Sequence, residues 1–68
     1  MHDPKMLQLL ERQAENRLRE MFEAQEHLHE AVIASDAAGA IGWDKTAQER
    51  QAYWRVAKQR VDWCRAGL

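Results

Sequence analysis

The sequence has few of the residues that cross-link small domains or interrupt helices. It contains one cysteine, one proline and three glycines in 68 residues. A single cysteine cannot form an internal disulfide, which fits a reducing cytoplasmic compartment, and there is no four-ligand pattern for a structural metal ion. A chain this short buries a small share of its surface. We therefore expect one domain over residues 1–68 that gains stability by oligomerisation.

Long apolar runs are also missing. No run approaches the roughly 20 residues that a membrane-spanning helix needs, and residues 1–4 lack the basic start and apolar core of a signal peptide. We expect a soluble, cytoplasmic protein with no membrane partner.

The chain as a whole has almost no net charge, but its two parts carry opposite charges. The formal net charge is −1, which by itself gives no reason to expect a nucleic-acid partner. Residues 1–43 contain eight acids and four bases, whereas residues 44–68 contain three acids and six bases. The two parts, at −4 and +3, should attract each other.

Residues 4–38 have the composition and the periodicity of one long helix. Asp3 can cap it, Pro4 suits the first helical position, and no glycine follows before residue 39. Apolar residues recur at a mean step close to 3.6, with Gln25 as the one polar member of a straight stripe. The stripe consists of Leu7, Leu10, Ala14, Leu18, Met21, Leu28 and Val32.

A break is predicted over residues 35–42. Gly39 can end the first helix in the left-handed conformation, and Gly42 punctuates the chain again. Between and after these glycines, Ile41 and Trp43 are expected to pack onto the end of the hairpin.

A shorter second helix is predicted over about residues 44–66. It begins either at an Asp44 cap or at a capping box formed by Thr46 and Glu49, and Gly67 lies at its end. Its apolar side chains fall on two faces, although a hairpin partner can cover only one. The second face contains Ala52, Val56 and Trp63, and Tyr53 and Arg60 lie between the two faces. The first face contains Ala47, Trp54, Ala57, Val61 and Cys64, with Leu68 as a further candidate.

These helices predict an all-α antiparallel hairpin that dimerises into a four-helix arrangement. At 1.5 Å per residue the helices are roughly 50 and 34 Å long, so the second covers the first only to about Glu15. A twofold dimer would cover both the overhang and the second face. One alternative is a monomeric hairpin whose first helix kinks near Gln13 and folds back. In a second alternative, one of the two apolar surfaces binds a different protein. The predicted dimer interface is Met6, Leu7, Leu9, Leu10, Ala52, Val56 and Trp63.

Residues with reactive or metal-binding side chains do not form a recognisable catalytic pattern. His27 and His29 lie about 160° apart on a helix and cannot bind one ion. Cys64 lies on an apolar face with no histidine in its half of the chain, so we interpret it as a small buried side chain and not as a nucleophile. Gly39 and Gly42 follow no strand and make no phosphate loop. We predict no metal, no cofactor and no enzymatic activity.

Aromatic and arginine side chains give the one functional signal, because Trp, Tyr and Arg are enriched at interface hot spots. The predicted function is a protein–protein interaction module that modulates a partner as an adaptor, inhibitor or anti-activator. Its size is, by analogy, typical of phage or mobile-element accessory proteins. The alternative is a dimeric nucleic-acid-associated regulator that uses the basic second helix. The predicted partner-binding residues are Trp43, Tyr53, Val56, Arg60 and Trp63.

Overall fold

The computed structural model describes residues 4–67, which form two α-helices and no strand. Helix α1 spans Pro4–Ile33 and helix α2 spans Ala37–Arg65. The helices run antiparallel in a rod whose principal extents are 52 × 14 × 11 Å. The predicted all-α helical hairpin is confirmed. The predicted cap of the first helix, Asp3, and the further candidate for the first face of the second helix, Leu68, lie outside the described residues.

The turn lies earlier in the chain than predicted. Helix α1 ends at Ile33 rather than near Ala38, and Ser35 takes the left-handed conformation with φ of 57°. Asp36 then caps α2, because its Oδ1 accepts a hydrogen bond from the backbone N–H of Gly39 at 2.9 Å. A carboxylate that satisfies a free helical N–H stabilises a helix start. This local gain prevails over the tendency of glycine to end a helix.

Both predicted starts of the second helix are therefore wrong. Gly39 and Gly42 lie inside α2. Asp44 accepts a hydrogen bond from Gln48 Nε2 at 3.1 Å, and Thr46 Oγ1 donates to the carbonyl of Gly42 at 3.1 Å, both within continuous helix. With its early start α2 has 29 residues, nearly the 30 of α1.

Matched helix lengths remove the predicted overhang of α1. Arg65 Nη2 lies 2.9 Å from Glu11 Oε1, so α2 reaches past the predicted limit at Glu15. Helix α1 is also continuous from its first described residue. The kink near Gln13, on which the monomeric alternative depended, is therefore wrong.

The large apolar residues at the open end of the hairpin separate into two pairs. Leu7 and Leu10 are half-buried and continue the line of residues that faces α2. Met6 and Leu9 point away from it and are 49% and 50% exposed. Only the second pair remains available to a partner.

The two helices meet along a narrow seam in which three of the five buried residues are alanines. Steps of three and four residues along each helix bring these side chains to the seam. None of the large side chains in the described part of the chain is fully buried, so the hairpin keeps much of its apolar bulk outside. The buried residues are Met21, Ala24, Ala31, Ala47 and Val61.

Near the turn the seam departs from the straight stripe predicted for α1. Ala24 and Ala31 are buried, whereas the predicted stripe members Gln25 and Val32 are exposed. Alternating steps of three and four average 3.5 residues, and that repeat keeps two helices in contact as they wind round each other. Side chains that repeat every 3.6 residues therefore turn away from the other helix within a few turns.

The seam face of α2 agrees with its predicted first apolar face. Trp54, Ala57 and Cys64 are half-buried there, beside the two buried residues of this helix. At the end of α2, Gly67 has a φ of 79° and its N–H donates to the carbonyl of Cys64 at 3.1 Å, as expected for a glycine that ends a helix. Over the described residues, neither helix combines the length and apolar character that crossing a membrane requires.

Candidate interaction surfaces

Helix α2 carries a second stripe of side chains that α1 does not cover. Like the seam, it has steps of three and four residues, and we call it the outer stripe. Three of its members, Tyr53, Val56 and Trp63, are 56%, 50% and 50% exposed. Ala52 is also exposed and lies at its edge. The outer stripe consists of Thr46, Glu49, Tyr53, Val56, Arg60 and Trp63.

An open groove of about 490 Å³ lies between the outer stripe and α1. Its α1 wall includes Arg17, whose Cζ lies 5.5 Å from the ring centroid of Tyr53. The same guanidinium donates to Glu20 Oε2 at 3.2 Å. The Tyr53 ring therefore has a cation over it on the groove side while more than half of the side chain stays exposed.

The apolar surface of the outer stripe continues onto α1 at the open end. Met6 and Leu9 precede two groove residues, Gln13 and Asn16, by seven residues each. Seven residues are about two helical turns, so the four side chains lie on one side of α1. Met6 and Leu9 thus continue the groove side of α1 toward the open end, where Trp63 continues the outer stripe of α2. Of the predicted dimer residues, the structure groups Met6, Leu9, Ala52, Val56 and Trp63, and leaves Leu7 and Leu10 near the seam.

Trp43 lies apart from the other predicted partner-binding residues. Its ring stacks on His27 with centroids 4.3 Å apart and an interplanar angle of 18°. It is half-buried in the turn half of the hairpin, roughly 30 Å along α2 from Trp63 at 1.5 Å per residue. The structure therefore brings Tyr53, Val56, Arg60 and Trp63 together on one stripe but separates Trp43 from them.

Three further exposed apolar side chains, which sequence reasoning missed, lie near the turn end on the outer sides of the two helices. Val32, Ile33 and Ile41 are 60%, 70% and 73% exposed, and we call them the turn-end surface. The expectation that Ile41 packs onto the hairpin is wrong, because the early turn makes it an outward position of α2. The sequence signal for this surface was the pair of consecutive β-branched residues before the turn, Val32 and Ile33. Neighbouring residues point in directions about 100° apart on a helix, so at most one of the two can pack against the other helix.

The fold concentrates opposite charges at the two ends of the rod. The contact between Arg50 and Glu20 marks the middle of the hairpin. Residues 21–49, toward the turn, hold six acids and one base, a formal charge of −5. Residues 4–20 and 50–67, toward the open end, hold nine bases and four acids, a formal charge of +5. Charge therefore separates along the rod rather than between the two helices.

The residues considered for chemistry are dispersed. His27 Nδ1 lies 3.7 Å from Glu30 Oε2 at an exposed site, and Cys64 is half-buried on the seam. In residues 4–67, no three side chains of His, Cys, Asp and Glu lie close enough together to hold a metal ion. What the arrangement offers is binding surface: the outer stripe, the turn-end surface and two oppositely charged ends.

The geometry defines a class of molecule, an antiparallel two-helix hairpin with apolar outer surfaces. No protein-family model, curated protein or solved structure matches the chain. Its function is therefore inferred from these surfaces.

Proposed function

We propose that the chain is a non-enzymatic protein–protein interaction module. It forms a homodimer, binds a partner protein and changes the activity of that partner as an adaptor, an inhibitor or an anti-activator. The placement of apolar side chains supports this proposal: three of the five buried residues are alanines, while Ile33, Ile41, Val56 and Trp63 are at least half exposed. Covering a large apolar side chain contributes about 1.5–3 kcal/mol, so these surfaces favour association.

The turn-end surface is the proposed site for the partner protein. Its three aliphatic side chains are the most exposed large apolar residues of the described chain, and they lie in the half that carries −5. Complementary potentials speed association and exclude wrong partners. The partner segment should therefore be basic and should present an aliphatic or aromatic anchor. Trp43, fixed by its stack on His27, lies in the same half.

The experiment that tests this site captures a partner from the source organism with the tagged chain and then measures binding with purified components. Ile41→Ser is expected to raise the dissociation constant at least tenfold, because it removes apolar area from the contact. Phe22→Ser is the matched control, since Phe22 is 52% exposed on α1 outside the turn-end surface. Equal effects of the two substitutions, or none from Ile41→Ser, would reject the turn end as the partner site.

The second candidate function is nucleic-acid association through the basic open end. Its charge of +5 and the exposed Tyr53 and Trp63 favour it. Against it, Lys58 lies over the ring of Trp54 at 5.4 Å and Arg65 pairs with Glu11, so several bases are engaged within the chain. Affinity for DNA or RNA that falls steeply with salt concentration would support this candidate, and no binding at low salt would remove it.

A further inference from the structure

We propose that the outer stripe is the interface with a second copy of this chain, and that the two α2 helices pack antiparallel in one register. In that register Glu49 faces Arg60 of the other copy, and Tyr53 faces Val56 of the other copy. The inference rests on the homodimer of the proposed function and specifies its geometry.

The chemistry of the outer stripe is self-complementary. An antiparallel twofold pairing places residues opposite each other when their numbers have a constant sum. Pairing Tyr53 with Val56 across the axis also pairs Glu49 with Arg60 and Thr46 with Trp63. Acid then meets base twice, and the aromatic and branched apolar residues meet at the centre. Shifting the helices by one heptad in either direction leaves Glu49 without a base opposite it.

The charges that this register joins are unpaired in the single chain. Over residues 4–67, neither Glu49 nor Arg60 forms an ion pair, and both side chains are exposed. They lie on opposite sides of the middle of the hairpin, Glu49 in the acidic half and Arg60 in the basic half. In the same register, residues 44–49 of the acidic half of each copy lie opposite residues 60–65 of the basic half of the other copy, while residues 50–59 of the two copies face each other. The two Glu49–Arg60 contacts thus favour the antiparallel orientation.

The exposed area also fits a second copy. The chain exposes 5355 Å², whereas a compact monomer of its 8.0 kDa mass exposes about 4,450 Å² by the usual scaling with mass. The excess of about 900 Å² is close to the roughly 800 Å² that each partner buries in a standard interface.

This assignment divides the predicted partner-binding residues by role. Tyr53, Val56, Arg60 and Trp63 belong to the dimer, with Met6 and Leu9 at its margin toward the open end. Trp43 stays with the turn half. The second apolar face of α2 therefore takes a copy of the chain, and the foreign partner is left to the turn end.

Charge reversal tests the register. The dissociation constant of the full chain is measured by sedimentation equilibrium under reducing conditions, which keep Cys64 from cross-linking. The wild type is expected at twice 8.0 kDa. Arg60→Glu and Glu49→Arg should each weaken the dimer at least tenfold, because symmetry makes every substitution act on two like-charge contacts. The double variant Glu49→Arg/Arg60→Glu should return to within about threefold of the wild type.

The control is Arg55→Glu, which makes the same charge change at an exposed position of α2 outside the outer stripe, and it should leave the dimer intact. Circular dichroism establishes that each variant stays helical. A monomeric wild type, a double variant that is not restored, or equal weakening by Arg55→Glu would overturn the proposal. A monomer that still binds its partner through Ile41 would overturn this dimer and leave the partner-binding proposal standing.

Discussion

The guanidinium of Arg50 crosses the seam and donates from Nη1 to the backbone carbonyl of Glu20 at 2.8 Å. The contact joins the middle of α2 to the middle of α1 and is partly buried. Because its acceptor belongs to the backbone, the bond depends on where Glu20 lies along α1 and not on the identity of its side chain. Arg50 therefore helps to fix the axial register of the two helices.

Replacing Arg50 tests that role. Arg50→Ala is expected to lower the free energy of unfolding by about 1.5–3 kcal/mol, since it removes a charged donor and the apolar stem that packs on the seam. Urea unfolding followed by circular dichroism measures the change at fixed protein concentration. The control, Arg55→Ala, alters an exposed position and should stay within about 0.5 kcal/mol of the wild type. Equal losses from both variants would contradict the role assigned to Arg50.

The two glycines inside α2 should respond in opposite directions to alanine. A Cβ at Gly39 would collide with the Asp36 carboxylate that caps the helix, whereas nothing lies within 4 Å of a Cβ at Gly42. Gly42→Ala should therefore stabilise the chain by about 0.5–1 kcal/mol, the usual gain over glycine inside a helix. Gly39→Ala should destabilise it by about 0.5–2 kcal/mol, because the cap must move.

Thermal unfolding of the two single variants measures this contrast. Asp36→Ala serves as the reference, since it removes the cap directly and leaves Gly39 without its acceptor. If Gly39→Ala is as stabilising as Gly42→Ala, the Asp36 cap does not start α2 in solution.

The two faces of α2 could be predicted from the sequence because each rests on a local spacing. Val61 on the seam and Val56 and Trp63 on the outer stripe follow from helical geometry alone. The position of the turn could not be predicted in the same way. Gly39 was interpreted as a stop, whereas in the structure the Asp36 cap carries α2 through Gly39. The strength of such a cap relative to a glycine stop depends on the packing of the whole hairpin.

That one error propagated into the predicted surfaces. Placing the turn near Gly39 shortened α2 in the prediction, created an overhang of α1 that does not exist, and hid Ile41 within the turn. The charge separation along the rod was missed for the same reason. It becomes visible only when the chain is folded back at Ser35, which sets Glu49 in the acidic half and Arg60 in the basic half.

The stack of His27 on Trp43 should appear as a measurable coupling between the helices. The rings are nearly parallel with centroids 4.3 Å apart, and aromatic pairs of this kind contribute about 0.5–1.5 kcal/mol beyond burial. In a double-mutant cycle, His27→Ala and Trp43→Ala should show a coupling energy in that range. His29→Ala with Trp43→Ala is the matched cycle, because His29 is an exposed histidine two residues away on another side of α1. Its coupling should be close to zero, and a coupling as large as that of His27 would mean that Trp43 responds to helix charge and not to the stacked ring.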